Sequence, residues 1–487
     1  GGDITTMGTN PAGIGIYRSN DVMLSFGFDN TRAKSALGQS VSKFHGSFDN
    51  AGFVFAAKVS NNGALRFANF GFNYRKIGSF DRSMLTGGTF DVSQLEQAAY
   101  MLNIADNGVP IGEDALMADG VFNNPNVPWL GAMGYNAGTT TGGPNHDQSI
   151  GLVNPVYVTD AGGKQYLDHY EPYTQVGDQI DQVYRSKESG GLHSFDLNGA
   201  LNFYDRFYVG ATLGLYSINY DRNSAYGENF TGTDGTNYGG YTLSNHYWAD
   251  GSGVDFKLGF ILRPFEDSSF RIGAAVHTPT FFSVTEHGNA VLDYDFDAGI
   301  SGSTRPYDDN KNDMASAYSY KVVTPWKVNV SLGYTVGTAV ALGVEYEYAN
   351  RSAGTLKDQD GYKLGQSISM NDMMKAVHTL RAGAEIKLAK EFSLRLGYNY
   401  ITAPFKDDAY KYLQPNSMRT DTEYANIGAM SNYTCGLGYR GKSFYADLAY
   451  RYNTYNETFY SSNVVGLPGT KISNNNHKVL LTLGMRF

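Results

Sequence analysis

The chain has 487 residues, with 58 Gly, 37 Tyr, 28 Phe, a net charge of −9 and one cysteine. Its mean hydropathy is −0.35, and no uninterrupted apolar run is long enough to cross a bilayer as a helix, which excludes a helical membrane protein. The single Cys435 excludes an internal disulfide, and a chain of this kind can span a membrane only as a closed barrel, because lipid leaves backbone polar groups no other partners.

The sequence opens at Gly1 with GGDITTMGTNPAG and shows no signal peptide. A mature or trimmed chain is expected, so that absence is uninformative. Residues 1–19 form a compact block ahead of the first strand at 22–28, and the block contains Asn10, Pro11, Ala12 and Gly13. Pro11 fixes φ and removes a donor, while Asn10 can bond its own backbone, so the segment suits a rigid turn. In isolation it reads as an ordinary turn leading into a strand.

From there strand-like segments recur in pairs, joined by tight polar turns at 60–63, 204–206, 264–268, 336–338, 388–391 and 441–443. Each turn contains Gly, Asn, Pro or charged residues. The pair around 203–220 is the clearest. Phe207, Val209, Ala211, Leu213 and Leu215 share one face, and Tyr208, Gly210, Thr212, Gly214 and Tyr216 share the other. Counting up and down strands to the end of the chain gives about fourteen, with short turns on one side and long loops on the other. That asymmetry is the pattern of an all-β, antiparallel outer-membrane barrel.

Between 79 and 190 the strand pattern lapses. This stretch holds 14 acidic against 4 basic residues, a balance of −10, so the rest of the chain carries +1. A loop of this length is functional or disordered more often than idle. Ser93 with Glu96 fits a capping box, and Val92, Leu95, Ala99 and Leu102 recur at helical spacing; a second short helix is expected over 112–119. The apolar face of Leu95, Ala99 and Leu102 packs against its own loop, the commoner outcome, or serves as an extracellular capture face. The acidity keeps the insertion soluble or attracts divalent ions, and it repels nucleic acid.

Later strands carry charge on their second face: Glu345 and Glu347, then Arg381, Glu385 and Lys387, then Arg395, with Asp447 and Arg451 further on. In a barrel this face is the lumen, where opposite charges on neighbouring strands pair. A structural ladder without a transport role is the plainer reading of any one of them. Asp308, Asn310 and Asn312 have the spacing that begins a calcium loop. Ser319 stands at its twelfth position and the central Gly is missing, so no metal site is expected. Residues 436–441 match GxGxxG but lie in a strand and hairpin with no helix following, which argues against a nucleotide. His246, His277, His287 and His378 show no metal spacing and no nucleophile beside them, so neither cofactor nor catalysis is expected. The last segment, 476–487, alternates strictly: Val479, Leu481, Leu483, Met485 and Phe487 on one face; Lys478, Thr482, Gly484 and Arg486 on the other.

Several of these stretches together resemble the FadL/TodX family of outer-membrane transporters for long-chain fatty acids and other hydrophobic molecules. The resemblance rests on Asn10-Pro11-Ala12 before the first strand, Thr324-Pro325-Trp326-Lys327-Val328, Glu345-Tyr346-Glu347-Tyr348, the run from His378 to Glu385, Leu394-Arg395-Leu396-Gly397-Tyr398 and the terminal Phe487. It implies a fourteen-stranded barrel over 20–487 whose lumen is blocked by an N-terminal hatch over 1–19, with Asn10, Pro11, Ala12 and Gly13 as gating residues. The hatch is shorter than is usual in that family and is expected to be incomplete in this sequence. The resemblance also implies lateral exit at a kink in the third strand, where Asn69 and Gly71 fall and Gly weakens pairing.

The expected function is passive uptake of hydrophobic small molecules across the bacterial outer membrane. The expected partners are that ligand and outer-membrane lipid and lipopolysaccharide, with protein partners reached through the acidic insertion. A barrel that transports nothing and anchors a larger secretion, assembly or surface complex is the alternative, and a hydrophilic porin comes third.

Overall fold

The computed structural model describes residues 3–137, 151–174, 177–296 and 300–487. Fourteen antiparallel strands close into one barrel: β1 (Asp21–Ser35), β2 (Ser40–Lys58), β3 (Leu65–Ser79, resuming as Arg82–Phe90), β4 (Gln179–Phe203), β5 (Phe207–Thr231), β6 (Asn237–Leu262) and β7 (Arg271–His277 and Phe281–Phe296). The second half comprises β8 (Ser316–Val323 and Lys327–Val336), β9 (Val340–Asn350 and Thr355–Lys357), β10 (Ala376–Lys387), β11 (Phe392–Ile401), β12 (Tyr424–Arg440), β13 (Phe444–Tyr460) and β14 (Thr470–Arg486). Each strand pairs with its sequence neighbours, and β1 pairs with β14 from Asp21↔Arg486 to Ser35↔Ile472. The fourteen strands expected from alternation are therefore present, and the first and last meet to close the sheet.

Alternation decides which side chains meet lipid. On β8, Val328, Val330, Leu332, Tyr334 and Val336 point outward and are exposed, as are Phe207, Leu213 and Leu215 on β5. Such rows continue around the wall and would be untenable in water. In hydrocarbon, at about 25 cal/mol per Å² of apolar surface, each contributes on the order of 1.5–3 kcal/mol. The molecule is thus a transmembrane β-barrel of the outer-membrane kind.

The wall is uneven in height. β4, β5 and β6 have 25, 25 and 26 residues, whereas β10 and β11 have 12 and 10. Since roughly 9–11 residues cross the hydrocarbon, the tall side stands well clear of the membrane. The expected insertion boundaries at 79 and 190 are corrected by this: β3 continues to Phe90 and β4 starts at Gln179, paired from Arg82↔Glu188 to Phe90↔Ile180. Above the membrane the outer face of the wall is polar and the inner face meets protein, so the apolar/polar alternation that marks a membrane strand fades.

What fills the tall mouth is the insertion itself. Helices α1 (Leu95–Ile104), α2 (Glu113–Met117) and α3 (Trp129–Asn136) and a hairpin, Val153–Thr159 with Gln165–Pro172, fold into it. Residues 138–150 and 175–176 of the expected insertion, and Gly1 and Gly2 of the expected hatch, lie outside the described residues. Leu95, Met101, Phe122, Trp129 and Tyr135 pack against Tyr184, Tyr226, Phe230, Leu243, Leu292 and Phe459 of the wall in the larger of two apolar cores among the described residues. Trp129 is fully buried and its Nε1 donates to the Phe122 carbonyl at 3.0 Å. Trp129→Ala is expected to destabilise this cap by roughly 3–5 kcal/mol. Limited proteolysis should then cut within 91–178 faster, while the heat-modifiable migration of the barrel stays that of the unmodified protein.

Candidate functional site

Folded segments sit inside both ends of the barrel, held by different physics. At the periplasmic end residues 3–17 form two short 3₁₀ helices inside the lumen, Ile4–Gly8 and Pro11–Ile16. Asp3 caps the first by accepting the Thr5 amide at 2.9 Å, and Asn10 caps the second by accepting the Ala12 amide at 3.1 Å, with Pro11 at the first helical position. Helices this short leave most of their carbonyls unpaired, and wall side chains take them up. Thr212 Oγ1 donates to Met7 O at 2.9 Å and Asn198 Nδ2 to Pro11 O at 3.2 Å. His277 Nε2 and Asn329 Nδ2 both donate to Thr9 O, at 2.8 and 3.1 Å. The Asn10 amide in turn donates to Phe260 O at 3.1 Å and Ala274 O at 3.3 Å.

The wall is carved to receive this plug. A methyl built on Gly52, Gly71, Gly210 or Gly259 would run into Ile4, Met7, Pro11 and Asn10 respectively. Ala12 and Gly13 are buried within the second helix, and Gly13 packs on the Thr6 side chain. Beyond the plug Lys257 bridges Asp196 at 3.1 Å and Asp255 at 2.8 Å, all three fully buried, with the Tyr216 hydroxyl donating to Asp255 at 2.8 Å. At its exit Arg18 reaches Asp205 at 2.6 Å, in the tight turn where Tyr204 and Asp205 both have φ of 56°.

Asn69 and Gly71 belong to this seat. Asn69 Nδ2 donates to Ile14 O at 2.6 Å and Tyr17 O at 3.0 Å. Both residues are paired without interruption to β2 (Ala56 and Val54) and to β4 (Ala200 and Asn198). Gly71 makes room for Met7. The third strand does break, at 80–81, where Asp81 meets Lys43 at 3.1 Å, His45 at 3.3 Å and Lys76 at 3.5 Å.

At the extracellular end the cap hangs on two buried carboxylates. Glu228 of β5 accepts the Gln94 amide at 2.8 Å, the Tyr226 hydroxyl at 2.6 Å, Gln182 Nε2 at 3.2 Å and the Ser93 hydroxyl. Burial pushes its carboxyl above the ordinary range, against the lowering effect of those donors. Ser93 also accepts the Leu95 amide at 3.0 Å, so the residue expected in a capping box instead ties α1 to the wall. Asp421, in the loop between β11 and β12, meets Arg419 at 2.7 Å, Lys411 at 2.8 Å and Arg222 of β5. Burial alone would raise the Asp421 carboxyl; Arg419, Lys411 and Arg222 together hold it well below its usual range.

Leu95, Ala99 and Leu102 are 2%, 2% and 0% exposed, each within the cap core. They form no open capture face, because the helix turns them towards the wall and α3. On the short side Arg381 pairs with Glu345 and, at 3.2 Å, Glu347, and Arg395 with Glu385 at 2.8 Å and Asp447 at 2.5 Å. Asp308 spends its carboxylate on its own turn, accepting the Asn310 amide at 2.9 Å and the Asn312 amide at 2.8 Å. Glu228, Asp421, Lys257 and Asp196 are the residues that sequence reasoning missed. Glu228 could have been found, since it shares the inward face of β5 with the apolar Tyr226 and Phe230, where a lone carboxylate needs dedicated donors.

No family model matches the chain, and no curated protein does. Among solved structures it is similar to the toluene transporter TodX of Pseudomonas putida at 12% identity and a TM-score of 0.48, covering 100% of this chain and 94% of that one. It is also similar to a FadL homologue of Pseudomonas aeruginosa (14%, TM-score 0.47, 100% and 94% covered) and to the monoaromatic hydrocarbon channel CymD (10%, TM-score 0.46, 100% and 93% covered).

Asn10→Ala removes the cap of the second plug helix and two ties to the wall, at about 0.5–1.5 kcal/mol for each net hydrogen bond. Basal ion conductance in planar bilayers is expected to rise above that of the unmodified barrel; an unchanged trace would show that the plug is held by other contacts. The loop clamp has a pH signature. Burial, helped by Arg419 and Arg222 and opposed by Asp421 and Glu423, pushes Lys411 down from 10.5 to about 8. Between those two values the open loop binds the extra proton and the closed loop does not. Closure therefore strengthens as pH rises from about 8 to 10.5, by up to roughly 3 kcal/mol. Proteolysis in 402–423 should slow across that window, and Lys411→Met should flatten the response.

Proposed function

We propose that the protein carries hydrophobic small molecules, long-chain fatty acids among them, passively across the outer membrane, with residues 3–17 as the gate. The observation that carries this reading is the lodging of Asn10-Pro11-Ala12 in the lumen, held by hydrogen bonds with the wall and glycine seats around a small apolar cluster of Ile4, Met7, Ile14 and Tyr17. A body held in this way can be displaced by a ligand that binds the displaced state better, and only by the difference in affinity. The apolar cap supports a hydrophobic solute over a hydrophilic one, since a general porin would present an open, water-filled mouth. In this scheme the solute crosses the cap, enters the lumen and passes the plug to the periplasm.

The anchoring alternative keeps one specific support, the tall wall of β4 to β6 with its closed cap, which presents a large folded surface outside the membrane. Gentle detergent extraction followed by native mass measurement separates the two. A stoichiometric protein companion favours anchoring, and a lone barrel with bound lipid favours transport. Uptake of radiolabelled oleate and of toluene should be faster in cells expressing the barrel than in the same host without it, and equal rates for both probes would sink the transport reading.

A further inference from the structure

Two sets of luminal glycines differ in what they face. Gly52, Gly71, Gly210 and Gly259 each receive an atom of the plug. On the other side of the lumen Gly333 of β8 stands opposite Gly343 of β9, Gly343 opposite Gly383 of β10, and Gly383 opposite Gly397 of β11. Gly343 lies between Leu342 and Val344, both exposed to lipid, and so points inward, on the face of Glu345. A methyl on Gly333, Gly343 or Gly383 would meet nothing nearer than 3.6 Å, and its nearest neighbours are carbonyl oxygens of the wall. Gly397 alone of the four is crowded, by the Thr434 hydroxyl.

A glycine inside a strand is less favourable than alanine, and strands keep one where something approaches the backbone closely. On the plug side that body is visible. On the β8 to β10 side none of the described residues approaches the row. The row also lies between two tiers of paired ions, Arg381 with Glu345 and Glu347 towards the cap, and Arg395 with Glu385 and Asp447 towards the periplasm. Those side chains are 18–47% exposed, against 0–2% for Asp196, Asp255 and Lys257 behind the plug. The accessible part of the lumen therefore runs along this side, where pairing immobilises the long charged side chains.

We propose that the bare row Gly333, Gly343 and Gly383 is the fixed wall of the passage, over which a hydrophobic solute slides past the plug. The inference rests on the uptake reading above and adds the route. A side-chain-free strip of backbone accepts a flat ring or a linear chain equally, since no side chain stands in its way. The movable wall of the passage is the plug, which is hydrogen-bonded to β3 through β8 and packs on Met23 of β1, Val54 of β2, Ala200 of β4 and Tyr445 of β13.

The test compares Gly343→Leu combined with Gly383→Leu against Gly199→Leu. Gly199 also has nothing within 4 Å, but it shares the lipid-facing side of β4 with Leu197 and Leu201. The double variant is expected to lose oleate and toluene uptake to the level of the empty host, and Gly199→Leu to keep it, with heat-modifiable migration unchanged in both. A second arm avoids folding altogether: in a Cys435→Ser, Gly383→Cys barrel already inserted in the membrane, maleimides of increasing size should reduce uptake stepwise. Full uptake by the double variant, or by barrels labelled to completion with the largest reagent, overturns the route and leaves the transport reading standing. No uptake by the unmodified barrel removes both.

Discussion

Closure of the sheet between β1 and β14 is the constraint on which everything else depends. In hydrocarbon an unpaired strand edge would leave a row of amides and carbonyls without partners, so the first and last strands must meet. They do so in a register marked by charge: Asp21 pairs with Arg486 at 3.0 Å, and Asp29 with Lys478 at 2.9 Å. The Tyr445 hydroxyl adds a bond to Asp21 at 2.9 Å. At the rim the Asn20 amide donates to Phe487 O at 3.0 Å and the Phe487 amide to Asn20 O at 3.2 Å. That seam places the segment before Asp21 beside the lumen mouth, and its unpaired helical carbonyls find Asn, Thr and His side chains inside.

The two obstructions differ in what stabilises them. The cap is a protein core, built from aromatic and aliphatic side chains that leave water for the inside of a tall wall, and its stability scales with buried apolar area. The plug has a small apolar contact and relies on wall donors, each contributing about 0.5–1.5 kcal/mol net. Both lean mainly on the side that includes β4 to β6. The short side, β8 to β11, gives the plug only the Asn329 hydrogen bond among the described residues and is otherwise lined by the Arg381 and Arg395 ion pairs and bare backbone, and this asymmetry is why the accessible lumen follows that side.

Much of the barrel was legible in the chain because a strand between lipid and lumen must alternate with period two, and the turns between such strands need Gly, Asn or charge. Phe207 to Leu215 and Val479 to Phe487 state their faces residue by residue. The limit came where that pressure ends. Above the membrane both faces of β3 and β4 are polar or meet protein, so Arg82 to Phe90 and Gln179 onward read as irregular chain. The capping signal at Ser93 was real as a helix start, yet its hydroxyl serves Glu228, a residue 135 positions away.

Sequence alone determined the class of the protein, because the alternation of apolar and polar residues is a local property imposed by the bilayer. It also marked Asn10-Pro11-Ala12 as conformationally restricted, where the structure has the capped start of a 3₁₀ helix, and put Glu345, Arg381 and Arg395 on one face. Tertiary structure decided which glycine faces what: Gly71 cradles Met7, Gly199 meets lipid, and Gly343 faces an accessible lumen. It decided, too, that Asp421 gathers Arg222, Arg419 and Lys411, and that Leu95, Ala99 and Leu102 are shut inside the cap. These are contacts between strands and loops far apart in the chain, set by the closing register and by the unequal heights of the wall, and neither leaves a periodic trace in the sequence.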